Sequence, residues 1–210
     1  MARAHQFLAA LLLVIGLEVP AAGEGVITSF IGGDFAGKIG SRTKAPARVT
    51  DDVTYGVAAA FMSRGLAGGV LGLEEDITFA PHFFPGGSRR APGGTTIAIS
   101  NLIVGMPLGL APLFEVGGVG LMPYAVGGFG LIHGESLEFS EFANEVSHDG
   151  VVFNIGVGSI LFISKYVGIR ADLRHIHSFA DVNASAFDVS EQRLKLWSGR
   201  VGVVYRFGPR

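Results

Sequence analysis

Along the last stretch of the chain, Lys195–Phe207, apolar and polar positions alternate with a period of two. Trp197, Gly199, Val201, Val203, Tyr205 and Phe207 fall on one side, and Leu196, Ser198, Arg200, Gly202, Val204 and Arg206 on the other. That alternation predicts a β-strand. An apolar face flanked by aromatics, opposite a face with two arginines, is the pattern of a strand with lipid outside and a polar lumen inside. It also fits an edge strand of a soluble sandwich or barrel whose apolar side covers a core. The rest of the chain separates the two readings.

Seven further stretches predict strands: Val26–Phe35, Val53–Met62, Ala67–Ala80, Thr95–Met106, Tyr124–Gly134, Val151–Ile163 and Tyr166–Ser178. The seventh is the clearest of these. Val167, Ile169, Ala171 and Leu173 share one face, and Arg170, Asp172 and Arg174 the other. In the third, Gly68, Val70, Gly72, Glu74, Asp76 and Thr78 line one face, while Leu71, Leu73, Ile77 and Phe79 line the opposite one. Glu75 interrupts that apolar face, so it is expected either at an outer rim or beside a bulge that resets the register. Polar loops fall at Ala36–Asp52, Pro81–Gly94, Glu135–Asp149 and Phe179–Arg193, and short turns at Ser63–Leu66 and Ser164–Lys165. Pro107–Met122 reads as an extended turn or as a further short strand around Phe114–Gly120. An even strand number with alternating long and short connections predicts an all-β fold, an eight-stranded antiparallel up-and-down transmembrane β-barrel.

The N-terminus adds a compartment. Arg3 precedes an apolar run, Phe7–Leu17, and the small residues of VPAAG follow. Residues 1–23 therefore read as a signal peptide, with cleavage after Ala21 or Gly23, and the barrel domain as 24–210. The apolar core is too short for a membrane helix.

Composition narrows the classes further. Hydrophobic residues make up 49% of the chain and mean hydropathy is +0.45, yet past the N-terminus no run of about 20 apolar residues could form a membrane helix. With no cysteine, disulfides, thiolate chemistry and cysteine-based zinc sites are excluded. A net charge of -2 without a basic run gives no nucleic-acid footprint.

The segments Gly72–Phe84, Asn101–Gly109, Pro123–Leu131, Gly168–Phe179 and Leu196–Phe207 resemble the small eight-stranded outer-membrane β-barrel family of Gram-negative bacteria. The resemblance covers Val26–Phe207. It implies an integral protein of the cell outer membrane whose partners are the lipid bilayer and the outer-membrane assembly machinery. Members usually end in an aromatic, typically phenylalanine, that this machinery reads. Phe207 matches it, although Gly208, Pro209 and Arg210 follow here.

The face assignments predict a polar cluster inside the barrel: Glu74, Asp76, Arg170, Asp172, Arg174, Arg200 and Arg206. An eight-stranded barrel is barely wide enough for side chains, and charges buried there must be paired. A lumen plugged by Arg–carboxylate pairs is the first expectation, and a narrow pore or ion channel the alternative. Glu74 and Asp76 could instead serve as an acid–base pair, but ion pairing accounts for them. His175 and His177 could chelate a metal or act as bases. Some outer-membrane barrels resemble hydrolases of lipopolysaccharide acyl chains, with a histidine and a serine two apart on an outward face. Here Ser178 directly follows His177 and points the other way, so these histidines read as interface residues. His133, Glu135 and Ser136 have no better geometry. The sequence thus assigns no catalytic, metal or cofactor site. It predicts a non-enzymatic, monomeric barrel with a structural, adhesive or surface-protective role. A lipid A-modifying enzyme and a soluble, exported lipid-binding barrel rank below it. Basic residues in the first loop (Lys38, Arg42, Lys44 and Arg48), and Arg89 and Arg90 beside Phe83 and Phe84 in the second, form a candidate contact for lipopolysaccharide phosphates.

Overall fold

A computed structural model of the chain describes residues 23–40, 47–48, 52–64, 68–81, 94–106, 108, 120–136, 146–178 and 193–208. Eight long strands carry the fold: β1 (Glu24–Gly40), β2 (Asp52–Arg64), β3 (Val70–Ala80), β4 (Thr95–Gly105), β5 (Gly120–Ser136), β6 (Val146–Phe162), β7 (Val167–Ser178) and β8 (Arg193–Phe207). Each pairs antiparallel with the next in sequence, and β1 pairs with β8, so the sheet closes on itself. A two-residue strand, Ala47–Arg48, adds to the end of β1.

Register sets the dimensions. From Asp34 the cross-strand partners run through Ser198, Arg174, Gly156, Val126, Ile103, Gly72 and Met62, and return to β1 at Glu24. The ladder thus climbs ten residues per circuit, from 24 to 34. Eight strands with that stagger tilt about 40° from the axis and enclose a backbone cylinder of roughly 8 Å radius.

The period-two pattern sorts side chains as the sequence predicts. Val201 and Val203 are 55% and 58% exposed, whereas Arg200 between β1 and β7 is 5% exposed. On β2, Val53, Tyr55 and Val57 face outward, and Thr54, Ala58 and Ala60 inward. Tyr55, Phe79, Phe129, Phe153 and Trp197 form an outward ring of aromatics towards the long-loop end, while Phe61, Tyr166, Tyr205 and Phe207 cluster outward at the short-turn end on β2, β7 and β8.

Several strands outrun their predicted bounds. β1 continues to Gly40, inside the segment expected to be loop, after a register shift between Phe35 and Lys38. β5 and β6 extend their hairpin to the pair Ser136–Val146, inside the loop expected from Glu135 to Asp149. Backbone hydrogen bonding continues there after the apolar alternation has ended. β5 also starts at Gly120 rather than Tyr124 and runs through Pro123. The proline lacks a donor, but its carbonyl accepts the Met106 N–H at 3.0 Å, and the ladder passes on to a Leu108–Leu121 bridge. Residues 109–119, where a further short strand was an alternative, lie outside the described residues, as do residues 1–22 of the expected signal peptide.

The short connections have local causes. Gly68 adopts φ +79° between β2 and β3, a left-handed conformation that residues with a Cβ rarely take. Between β6 and β7, the Ser164 hydroxyl accepts the N–H groups of Tyr166 and Val167 at 3.3 and 3.0 Å.

Glu75 departs from both sequence expectations. The β2–β3 and β3–β4 ladders run through it without a break, pairing it with Ala59 and Ser100. It lies five residues from either end of β3, so it sits at mid-height on the outward face. No bulge moves it, because Glu74 and Asp76 on either side are both held by arginines inside the barrel.

Candidate functional site: the ion-paired lumen

Strands β3, β7 and β8 deliver the charged side chains inward from opposite walls. Three carboxylates (Glu74, Asp76 and Asp172) meet three guanidiniums (Arg170, Arg174 and Arg200) at the centre of the barrel. Arg170 embraces Glu74 with both terminal nitrogens, and its Nε donates to Asp172 at 2.9 Å. Arg174 bridges Glu74 and Asp172, at 2.8 and 2.9 Å. Arg200 bridges Asp76 and Asp172, at 2.8 and 3.3 Å. The three charges of each sign balance, as a buried network requires.

Neutral groups complete it. The Tyr124 hydroxyl donates to Asp172 at 3.0 Å and accepts from Arg170 Nε at 2.7 Å. The Thr78 hydroxyl donates to Asp76 at 2.8 Å. Asn101 donates to Glu74 at 3.3 Å, and Asn154 to Asn101 at 2.8 Å. Arg170 and Arg200 also lie over the rings of Tyr124 and Phe30, 4.9 and 4.6 Å from their centroids. Sequence reasoning missed Tyr124, Asn101 and Asn154, because a lone polar residue in an apolar stretch does not reveal its partner across a barrel; the alternation puts Thr78 on the face of Glu74 and Asp76 without naming it in the cluster.

Inward glycines make room for the arginines. A Cβ on Gly156 would stand 2.8 Å from Arg174 Cγ, and one on Gly158 would stand 2.4 Å from the Tyr124 hydroxyl oxygen.

Arg206 does not belong to this network, contrary to expectation. It shares the inward register but lies at the short-turn end, where Nε donates to the Lys165 carbonyl at 2.9 Å and Nη1 stands 3.5 Å from Glu24. Two inward positions, Gly202 and Val204, separate it from Arg200 on the same strand, too far for the central carboxylates.

Apolar layers flank the ionic belt on both sides. Below the ionic belt, Val26, Met62, Val70, Met122, Ile160 and Phe162 pack together. Above it, Ile97, Ile99, Val152, Ile176, Leu194 and Leu196 pack together. The lower layer leaves a cavity of about 10 Å³, at the margin of a single water. The charges are thus held between two apolar layers.

The remaining candidates do not converge. His175 lies edge-on to Trp197, with ring centroids 4.9 Å apart. His177 is on the outward side, while Ser178 is buried inside. His133 is exposed on β5, and the side chains of Glu135 and Ser136 lie outside the described residues. Among the described residues no group of three or more histidines and carboxylates is arranged to hold a metal. The side chains of Lys38, Arg42, Lys44, Arg48, Phe83, Phe84, Arg89 and Arg90 also lie outside the described residues.

No known family and no curated protein matches the chain. Among solved structures, the N-terminal β-barrel domain of Pseudomonas aeruginosa OprF is similar over 88% of this chain and 97% of its own, at 16% identity and a TM-score of 0.51. The fold is that of the small Gram-negative outer-membrane barrels. Two others have TM-scores of 0.49: Ail, the attachment invasion locus protein of Yersinia pestis, and neisserial surface protein A. They are 10% and 12% identical, over 89% of this chain and 99% and 97% of theirs. At these identities the likeness concerns the architecture.

Proposed function

We propose that the chain is an integral outer-membrane protein, exported by its N-terminal signal, with a sealed lumen and a non-enzymatic structural or surface role. One observation carries the reading: the apolar residues face outward around the whole cylinder, while the charges are paired within. A water-soluble barrel would have the reverse arrangement. An aromatic ring at the long-loop end and an aromatic cluster at the short-turn end bound the outward apolar band, as expected where a bilayer meets water on both sides. No helix among the described residues is long and apolar enough to cross a membrane, so the strands would make the crossing.

The balanced ion pairs and the apolar layers above and below them favour a plug over a pore. An ion entering the lumen would have to break charge pairs and pass the apolar layers on either side of them. Reconstitution in a planar bilayer tests this: no conductance is expected, and discrete ohmic channels from the wild-type protein would overturn the sealed-lumen reading. Membrane residence is tested separately by fractionation, where recovery in the soluble periplasm would exclude it.

Surface function would then belong to the four long connections, with Arg89 and Arg90 as candidate contacts for lipopolysaccharide phosphates. Replacing both by alanine should weaken lipopolysaccharide binding, and unchanged binding would remove them from the account. Phe207 and the aromatic alternation before it would present the C-terminal strand to the assembly machinery. Because β1 and β8 close the sheet, one chain suffices to form the barrel.

A further inference from the structure

Glu75 is the one acidic or basic side chain, among the described residues, on the outward face between the aromatic levels at the two ends of the barrel. It stands about 10 Å below Phe79, four residues further along β3, given the strand rise and tilt. On the membrane reading, on which this inference rests, that depth is the hydrocarbon interior. The Ser100 hydroxyl donates to its Oε2 at 2.8 Å. Ala59 stands opposite Glu75 on β2 and Ala98 is next on the outward side of β4, while Phe129 on β5 stands opposite Ser100, and Leu73 and Ile77 flank Glu75 along β3.

We propose that the Glu75–Ser100 patch is the contact through which two copies of this barrel associate side by side in the membrane. At mid-depth acyl chains offer no hydrogen-bonding group, so further partners must come from protein. A second copy supplies them by symmetry. Two barrels inserted with the same orientation are related by a twofold axis parallel to the membrane normal, which brings the same patch of each together at the same depth. The Ser100 hydroxyl that donates to the carboxyl within one wall can equally donate to the carboxyl of a second copy, so this patch is complementary to itself. Ala59 lets a second wall approach Glu75 from the β2 side. Folding does not require the contact, because each barrel closes alone; the patch adds lateral pairing to a complete monomer.

The absence of cysteine makes the test clean. Leu73 on β3 and Val157 on the far wall are both 62% exposed. Leu73→Cys and Val157→Cys variants are refolded into phosphatidylcholine vesicles and oxidised, and disulfide-linked dimers are measured. Linked dimer is expected for Leu73→Cys and not for Val157→Cys. Adding Glu75→Leu should reduce the Leu73→Cys dimer by about tenfold, whereas Glu75→Gln, which keeps a donor and an acceptor, should retain it. Equal linkage at both positions, or an unchanged yield with Glu75→Leu, would overturn the pairing. So would linkage in cells only to a different polypeptide. Vesicle flotation separates the two readings: failure to float defeats the membrane assignment, while floating without linkage at Leu73 defeats only the pairing. Heat-modifiable gel mobility reports folding, and if Glu75→Leu does not fold, the comparison of Leu73→Cys with Val157→Cys still decides.

Discussion

Removing Glu74 tests the central network most directly. Its two carboxylate oxygens accept hydrogen bonds from Arg170, Arg174 and Asn101. In Glu74→Leu, three guanidiniums would share two carboxylates, Asp76 and Asp172, and Arg170 would keep only Asp172 as a charge partner. Breaking a buried pair by removing one partner typically costs about 3–5 kcal/mol, chiefly through the charge left behind. Glu74 is 1% exposed and Arg170 3%, so solvent screening offers little relief. Urea unfolding from lipid vesicles, followed by tryptophan fluorescence and gel mobility, should show a loss of that size. The matched pair Glu74→Leu with Arg170→Met should recover most of it, because taking out both charges leaves no orphan. A single-variant loss below about 1 kcal/mol, in the range of exposed pairs, would refute the argument that this network is dry and jointly held. So would a double variant as unstable as the sum of its parts.

Three other outcomes follow from the same geometry. Arg200→Ala should leave planar-bilayer conductance undetectable, because the apolar layers on either side of the ionic belt remain; single-channel openings would show that the charges alone seal the lumen. Gly158→Ala should destabilise the barrel by about 1–3 kcal/mol in the same urea assay, since its Cβ would collide with the Tyr124 hydroxyl and the Asp172 Cβ; an unchanged midpoint would mean the wall yields freely there. Mature protein isolated from outer membranes should begin at Ala22 or Glu24 by N-terminal sequencing, and retention of Met1 would contradict the signal-peptide assignment.

What the chain determined by itself is sidedness. On β7 and β8, Val167–Leu173 and Trp197–Phe207 carry their apolar and charged residues at alternate positions, and a pleated strand has no other way to place them. The eight-strand barrel and the inward direction of Glu74, Asp76, Arg170, Asp172, Arg174 and Arg200 follow from that local rule. What only the tertiary structure decided is height, because position around and along the barrel depends on the ten-residue stagger that accumulates over a whole circuit. Arg206 reads as a sixth member of the alternation on β8, yet closure carries it to the short-turn end beside Glu24 and Lys165. Glu75 reads as a rim residue or a bulge, yet the unbroken β3 ladder holds it at mid-wall. Tyr124, Asn101 and Asn154 come from strands whose patterns give no hint of a charged partner, and they enter the network because the stagger brings β4, β5 and β6 level with the arginines of β7. Alternation is written one residue at a time, whereas depth is a property of the closed sheet.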